Sequence, residues 1–330
     1  MAKPTKPFCL ADYYRLQNVS QAAVSPDGKW VAFVVEGFRK AENDSYRNLW
    51  LTRTDGSMEP HRLTRGNTSD SSPAWSPDGR YLAFLSTRED ELEVALQEAE
   101  KEDGDETEAE TKGTGGAEDS ERPKPQLWVF DLQLGGEPRQ LTNREEGVED
   151  FDWAPDGTRL VFASRDPDEQ EQAYLKSIRG QGKNQDKGPL VIDRVQHKHD
   201  RHGYLDNVRT HLFIVDVNTR KTTRLTDGPC DETSPRWSPA GEWIVFTSNR
   251  TGDADNNART DLWLISPDGQ QVRRLTWGDL DCYDPAWSPD GKWVAFIASK
   301  EPENAYVLHH LMCVEVAMAE TIPALAAYVG

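Results

Sequence analysis

The chain has 330 residues, with 38 Lys and Arg against 57 Asp and Glu, a formal charge of −19 and a hydrophobic share of only 36%. It is long enough for one large core or two domains. It is too acidic for a general nucleic-acid surface, which needs a basic footprint. The acidity is also local: residues 89–121 hold fifteen acids against Lys101 and Lys112, so everything else sums to −6.

No run of 18 apolar residues occurs, so no membrane-spanning helix is expected. The start, Met1 to Leu10, carries lysines but no apolar core, so no secretory leader is expected. Cys9, Cys230, Cys282 and Cys313 lie far apart without a C-x-x-C pair, which argues for reduced thiols in a cytoplasmic protein rather than a disulfide scaffold or a zinc ribbon.

In chain order, residues 1–20 form an N-terminal segment in which Asp12 is expected to cap a short helix running to Leu16. Tyr13, Tyr14 and Leu16 give that helix an apolar side, and it is too short to stand alone. From residue 21 the chain repeats. Trp287-Ser288-Pro289-Asp290-Gly291, followed by Val294 and Phe296, reads as strand, tight turn, strand. Pro presets the first turn position, Asp bonds its own backbone, and Gly accepts positive φ. The string returns around Val24, Trp75, Trp153 and Trp237.

Each unit parses into four strands, A to D: A ends in the turn, B carries the Phe, C starts Leu-Trp or Leu-Phe, and D ends Leu-Thr. Nine residues separate Trp75/Phe84, Trp153/Phe162, Trp237/Phe246 and Trp287/Phe296. Eleven separate Thr64/Trp75, Thr142/Trp153, Thr226/Trp237 and Thr276/Trp287. The Leu of strand C precedes the Leu of strand D by thirteen or fourteen, as in Leu49/Leu63 and Leu212/Leu225. Agreement at independent offsets fixes five units: 21–66, 67–144, 145–228, 229–278 and 279–330. In the last, Leu311-Met312-Cys313-Val314 stands for strand C and Leu325-Ala326 for Leu-Thr.

Only the B–C connection varies. Residues 87–125 and 165–208 are inserted there, and in an up-and-down blade all such connections leave from one face. The first insertion is acidic and expected to be disordered. The second is polar and basic from Arg179 to Lys187 and regains strand character at Leu190-Val191-Ile192. Four-stranded units of about fifty residues match the blades of a β-propeller. The expected fold is therefore all-β, with the strand A Trp and strand B Phe packing between four-stranded antiparallel blades.

The search for chemistry returns little. A serine hydrolase needs the strained Gly-x-Ser-x-Gly elbow, and no serine here has a glycine two residues before it. His197 and His199 could ligate a metal, but Lys198 and Arg201 lie between and beside them and favour a solvated loop. Gly180-Gln181-Gly182-Lys183 lacks the spacing of a phosphate loop. Asp27, Asp78, Asp156, Asp268 and Asp290 could suggest calcium, yet each is accounted for by its turn, and Ala240 fills the same slot in unit four. No catalytic, cofactor or metal residue is expected. A propeller lyase or glycosidase would need paired carboxylates, which spacing does not reveal.

The string W-S-P-D-G-x-x-[IVL]-[AV]-F, with Leu-Trp and Leu-Thr, resembles TolB-type propellers and the prolyl oligopeptidase family. The opening from Leu10 through Gly28, the stretch Pro189 to Asp216, and Asp227-Gly228 through Trp263 resemble the acylaminoacyl peptidase and dipeptidyl-peptidase-like branch. That resemblance implies a propeller seated over a C-terminal α/β-hydrolase domain, gating a Ser-Asp-His triad so that peptides rather than folded proteins enter. No triad position can be carried over, and the resemblance implies more blades than the five countable here. The expected partners are that hydrolase domain and peptide substrates, with self-association allowed for. The alternative is a TolB-like scaffold that binds proteins.

Overall fold

In the computed structural model the described residues are 9–41, 43–66, 68–89, 123–179, 192, 194–196, 198–199, 203–204, 206–278, 280–301 and 308–322. They form two compact units, 1–143 and 144–330. Both are built from antiparallel sheets, and the architecture is all-β with blades in the order the repeat predicts.

The first unit opens with α1 (Leu10–Tyr13). Asp12 is not its N-cap, as expected from the sequence, but its third residue. It reaches back to the Cys9 amide at 3.0 Å and the Cys9 thiol at 3.1 Å, and the helix stops at Tyr13. The turn docks as anticipated, with the Tyr13 ring 4.9 Å from Phe38.

Blade one comprises β1 (Gln17–Val24), β2 (Trp30–Arg39), β3 (Asp44–Arg53) and β4 (His61–Arg62). Its first strand thus starts four residues ahead of residue 21. Blade two comprises β5 (Asp70–Trp75), β6 (Tyr81–Ser86), β7 (Gln126–Asp131) and β8 (Arg139–Gln140). Between them Ala32, Val34, Leu49 and Leu51 pack on Leu82, Phe84, Trp128 and Phe130, with Trp75 against the cluster. Strand B side chains alternate between the sheet faces, so one blade feeds two interfaces.

In the second unit, blade three holds β9 (Asp150–Trp153) and β10 (Arg159–Arg165), then α2 (Glu169–Arg179) and a short ladder of β11 (Lys198–His199) with β12 (Gly203–Tyr204), before β13 (Thr210–Asp216) and β14 (Thr222–Arg224). The helix was not expected. Its signature is the capping box, in which Asp168 Oδ1 accepts the Glu171 amide at 2.8 Å and Glu171 Oε2 accepts the Asp168 amide at 2.9 Å. Ile192 is not in a strand, and Leu190 and Val191 lie outside the described residues. So do residues 90–122, on which the expectation of disorder falls.

Blade four holds β15 (Glu232–Trp237), β16 (Ile244–Ser248), β17 (Asp261–Ile265) and β18 (Val272–Arg274). Blade five holds β19 (Asp281–Trp287), β20 (Trp293–Ser299) and β21 (His309–Glu315). Strand C of the fifth unit forms as expected, with Leu311 to Val314 in β21. After a 3₁₀ turn at Val316–Met318 the chain runs into β22 (Glu320–Ile322), which pairs with β18 of blade four and not with β21. Among the described residues blade five has three strands. Leu325-Ala326 lies outside them.

The Ser-Pro-Asp-Gly turns form as expected. Asp27, Asp268 and Asp290 each take a hydroxyl bond from the preceding Ser and an amide bond from two residues on, which together hold their carboxyls below the usual range. Gly28 and Gly291 sit at φ +70. Where Ala240 replaces Asp, the turn still closes through Gly241 N–H to Ser238 O at 2.9 Å. Among the described residues no helix is long and apolar enough to cross a membrane.

Candidate functional site

Each up-and-down blade brings four points to one end: the start of strand A, the end of B, the start of C and the end of D. The Leu-Thr motif operates here. In blade three Thr226 Oγ1 accepts the Leu212 amide at 2.9 Å, and in blade four Thr276 Oγ1 accepts that of Leu262 at 2.9 Å. Thr64 and Thr142 do the same for Leu49 and Leu127. Two residues before each Thr, Arg62, Gln140, Arg224 or Arg274 donates to the Thr carbonyl. The motif is a side-chain clip that fixes where strand C begins.

Below the clip lies a polar layer that spacing alone did not expose. Glu232, the first residue of β15, is fully buried and accepts from Thr226 Oγ1 at 3.0 Å, from His211 Nδ1 at 2.8 Å and from Arg250 at 3.0 Å. Arg250 in turn lies over the Phe246 and Trp263 rings at 5.3 and 4.7 Å. Blade two repeats the device: Asp70 takes Ser86 and Arg88, and Arg88 covers Phe84 and Trp128. In both blades the acid stands five residues before the strand A Trp and the Arg four after the strand B Phe. That offset is the signal that could have found the pair. In blade five the acid's position is Cys282, whose thiol burial pushes up to about 12. Burial also raises the Cys230 thiol. Burial thus disfavours the reactive thiolate form of both.

On this end of blade three opens a cleft of ≈ 380 Å³, lined by Asp166, Asp168, Glu171, Arg209, His211 and Arg224 among others. The capping box of α2 fixes its rim. Asp166 bridges Arg144 and Arg224, the latter at 3.0 Å, and Arg209 pairs with Asp231 at 3.0 Å. Three carboxylates, two guanidiniums and a carboxylate-oriented histidine give it polar groups of both signs. Such a lining suits a ligand carrying both an amine and carbonyl groups. The insertion also ties to blade four, where the Asp255 carboxylate accepts the Gln196 amide at 3.0 Å.

The residues weighed from sequence fall elsewhere. The turn aspartates lie at the opposite end of their blades. His197 and the Gly180 to Lys183 stretch lie outside the described residues, and of His199 only the backbone is described. Among the described residues no group of three or more His, Cys, Asp or Glu could hold a metal.

Residues 204–319 match the TolB beta propeller domain. Over 252 residues, 74% of this chain, the sequence is 29% identical to a Bacillus subtilis protein named uncharacterized peptidase YuxL, covering 31% of that protein. Among solved structures, the Pyrococcus horikoshii acylaminoacyl peptidase superposes with a TM-score of 0.58 at 17% identity, over 95% of this chain and 40% of that one. A putative TolB from Agrobacterium tumefaciens superposes with a TM-score of 0.55 at 18% identity, over 92% and 80%. The chain spans less than two-fifths of the length of the curated relatives it matches. The resemblance drawn from the repeat string thus holds at the level of the fold and of the names: residues 204–319 match a TolB-type β-propeller domain, and the sequence relatives that the chain matches are named peptidases.

Proposed function

We propose that this chain is the substrate-gating propeller portion of a cytoplasmic serine exo- or oligopeptidase of acylaminoacyl or dipeptidyl type, inert as a hydrolase by itself and working beside an α/β-hydrolase domain. The observation that carries the reading is the insertion-bearing end of blade three. There a rigid, clipped blade carries a cleft whose charges of both signs suit short peptides, in a chain whose relatives are named peptidases. The missing Gly-x-Ser-x-Gly elbow and the two raised thiols support the lack of hydrolysis.

The 330-residue chain should show no turnover of aminoacyl-nitroanilide or acetyl-aminoacyl substrates, while a photo-reactive short peptide should label the cleft around Arg209 and Arg224. Turnover abolished by a serine-directed inhibitor would overturn the first part, and labelling confined to the turn end of the blades the second.

A second reading is a TolB-like scaffold. It is favoured by the share, 80%, of the Agrobacterium structure that this fold accounts for. A pull-down that recovers one stable envelope protein, with no peptide labelling, would select it.

A further inference from the structure

At the turn end, the groove between two neighbouring blades is framed by three repeat positions. One blade gives the turn Asp and the first residue of strand B, and the next gives the strand A Trp. Between blades three and four these are Asp156, Arg159 and Trp237. There Asp156 divides its oxygens. Oδ1 accepts the Thr158 amide and hydroxyl and closes the turn, while Oδ2 accepts Arg159 Nε at 3.0 Å and Nη2 at 2.7 Å. The same guanidinium lies over the Trp237 ring at 5.1 Å, and Trp237 is buried. This groove therefore holds a guanidinium between an indole and a carboxylate, which cation–π attraction and a charge-assisted pair both favour.

Between blades one and two the three positions are Asp27, Trp30 and Trp75. Trp30 brings a second indole where Arg159 brings a cation. A cleft of ≈ 440 Å³ opens there, lined by all three residues with His61, Asp78 and Gln133 among others. Trp75 is only half-buried. Asp27 Oδ1 serves its turn as Asp156 Oδ1 does, taking the Ser25 hydroxyl at 2.6 Å and the Lys29 amide at 3.0 Å. Those two bonds hold the Asp27 carboxyl below its usual range, so it is ionised at neutral pH. Asp27 Oδ2 has only the exposed Lys29 ammonium, at 3.4 Å. Arg53 also lies over Trp30, at 5.0 Å, but its acid is Asp55, at 3.7 Å. The indole and carboxylate that hold Arg159 in one groove thus recur in the other without the arginine.

We propose that the cleft between blades one and two binds an arginine side chain of a ligand peptide, its guanidinium between Trp30 and Trp75 with Asp27 as counter-ion. The site shares no residue with the cleft of blade three and does not depend on the function proposed for that cleft.

Titrating Nα-acetyl-arginine amide into the 330-residue chain, with the indole N–H signals of Trp30 and Trp75 followed by NMR, should give saturable shifts. The citrulline analogue has the same shape without the charge and should bind about tenfold more weakly. Asp27→Asn keeps an oxygen for the turn and should weaken the arginine probe about threefold. Trp30→Arg supplies the guanidinium from the chain itself, as Arg159 does, and should abolish the shift of Trp75 by the probe. Thermal melts check that both variants fold, and Asp27→Asn with the citrulline probe decides the matter if Trp30→Arg does not. An arginine probe without a saturable shift at Trp75 overturns the proposal. So does citrulline binding as tightly as arginine, which would make the cleft an apolar notch only. So does a folded Asp27→Asn or Trp30→Arg variant that binds the probe like the wild type.

Discussion

Replacing Asp152 with Asn should stabilise the second unit at neutral pH. Asp152 and Asp150 alternate on β9 and face β15, where Asp150 pairs with Arg236 at 2.8 Å and Asp152 Oδ2 accepts the Trp237 amide at 2.7 Å. Burial raises the Asp152 carboxyl from 3.8 to about 6, against the lowering pull of that amide and of Arg236. The folded value lies above the unfolded one, so the native state holds the proton more tightly. Below pH about 4 both states are protonated and the group is neutral to stability; between about 4 and 6 the unfolded chain ionises first, and above 6 the full penalty stands.

At 1.36 kcal/mol per pKa unit, a shift of a little over two units sets a ceiling of about 3 kcal/mol. Asp152 is only half-buried as a residue and Arg236 is close, so roughly 1–2 kcal/mol is expected. Asn keeps an oxygen for the Trp237 amide and carries no charge. Urea unfolding of both proteins at pH 4, 5.5, 7 and 8 should show the gain of Asp152→Asn growing with pH and vanishing at the acid end. An Asn variant less stable at pH 7, or a difference independent of pH, would refute the account of a desolvated carboxylate and leave Asp152 as a net stabilising acceptor.

Three other outcomes follow from the same geometry. Arg250→Met leaves the fully buried Glu232 without the guanidinium that it bonds, and should cost about 3–5 kcal/mol in urea unfolding. Adding Glu232→Gln should return part of that. Thr226→Val strands the buried Leu212 amide and should cost about 1–3 kcal/mol, whereas Thr226→Ser keeps the hydroxyl and should sit within about 1 kcal/mol of wild type by the same measurement. Ala240→Asp installs the carboxylate that the other turns use, and should raise the melting midpoint by an amount worth about 0.5–1 kcal/mol.

The blades were legible because their signals are local. Trp75 to Phe84 spans one strand, one turn and the next strand, and both the two-residue alternation and the positive φ of Gly79 can be read within ten residues. The Leu-Thr repeat was visible as a pattern, but its cause was not, since Thr226 and the Leu212 amide it holds are fourteen residues apart. The helix at Glu169–Arg179 escaped notice because its mean hydropathy is low and its start is marked by a reciprocal Asp168–Glu171 pair rather than by an apolar stripe. The fate of Glu320–Ile322 was not legible at all. A three-residue strand can pair with any open edge, and the edge of β18 offered one. Of the candidate site, the sequence showed where the insertions leave the blade, but not the acid–Arg pairs beneath them, because each partner is set by a neighbouring strand.

The polar layer also explains why insertions accumulate at this one junction. Strand C is anchored from strand D: in blade three the Leu212 carbonyl accepts the Leu225 and Thr226 amides at 2.8 and 3.3 Å, while its own amide is held by Thr226 Oγ1. Blade four does the same with Leu262, Leu275 and Thr276. Neither anchor uses an atom of the B–C connection. That connection can therefore run directly from Ser248 through the Asn249 loop in blade four, or carry a helix and a ladder in blade three, without leaving a buried backbone group unpaired. The closure entropy of a longer loop grows only slowly with its length. A scaffold whose strand starts are fixed independently of the loops above them can vary those loops freely without disturbing the blade beneath them.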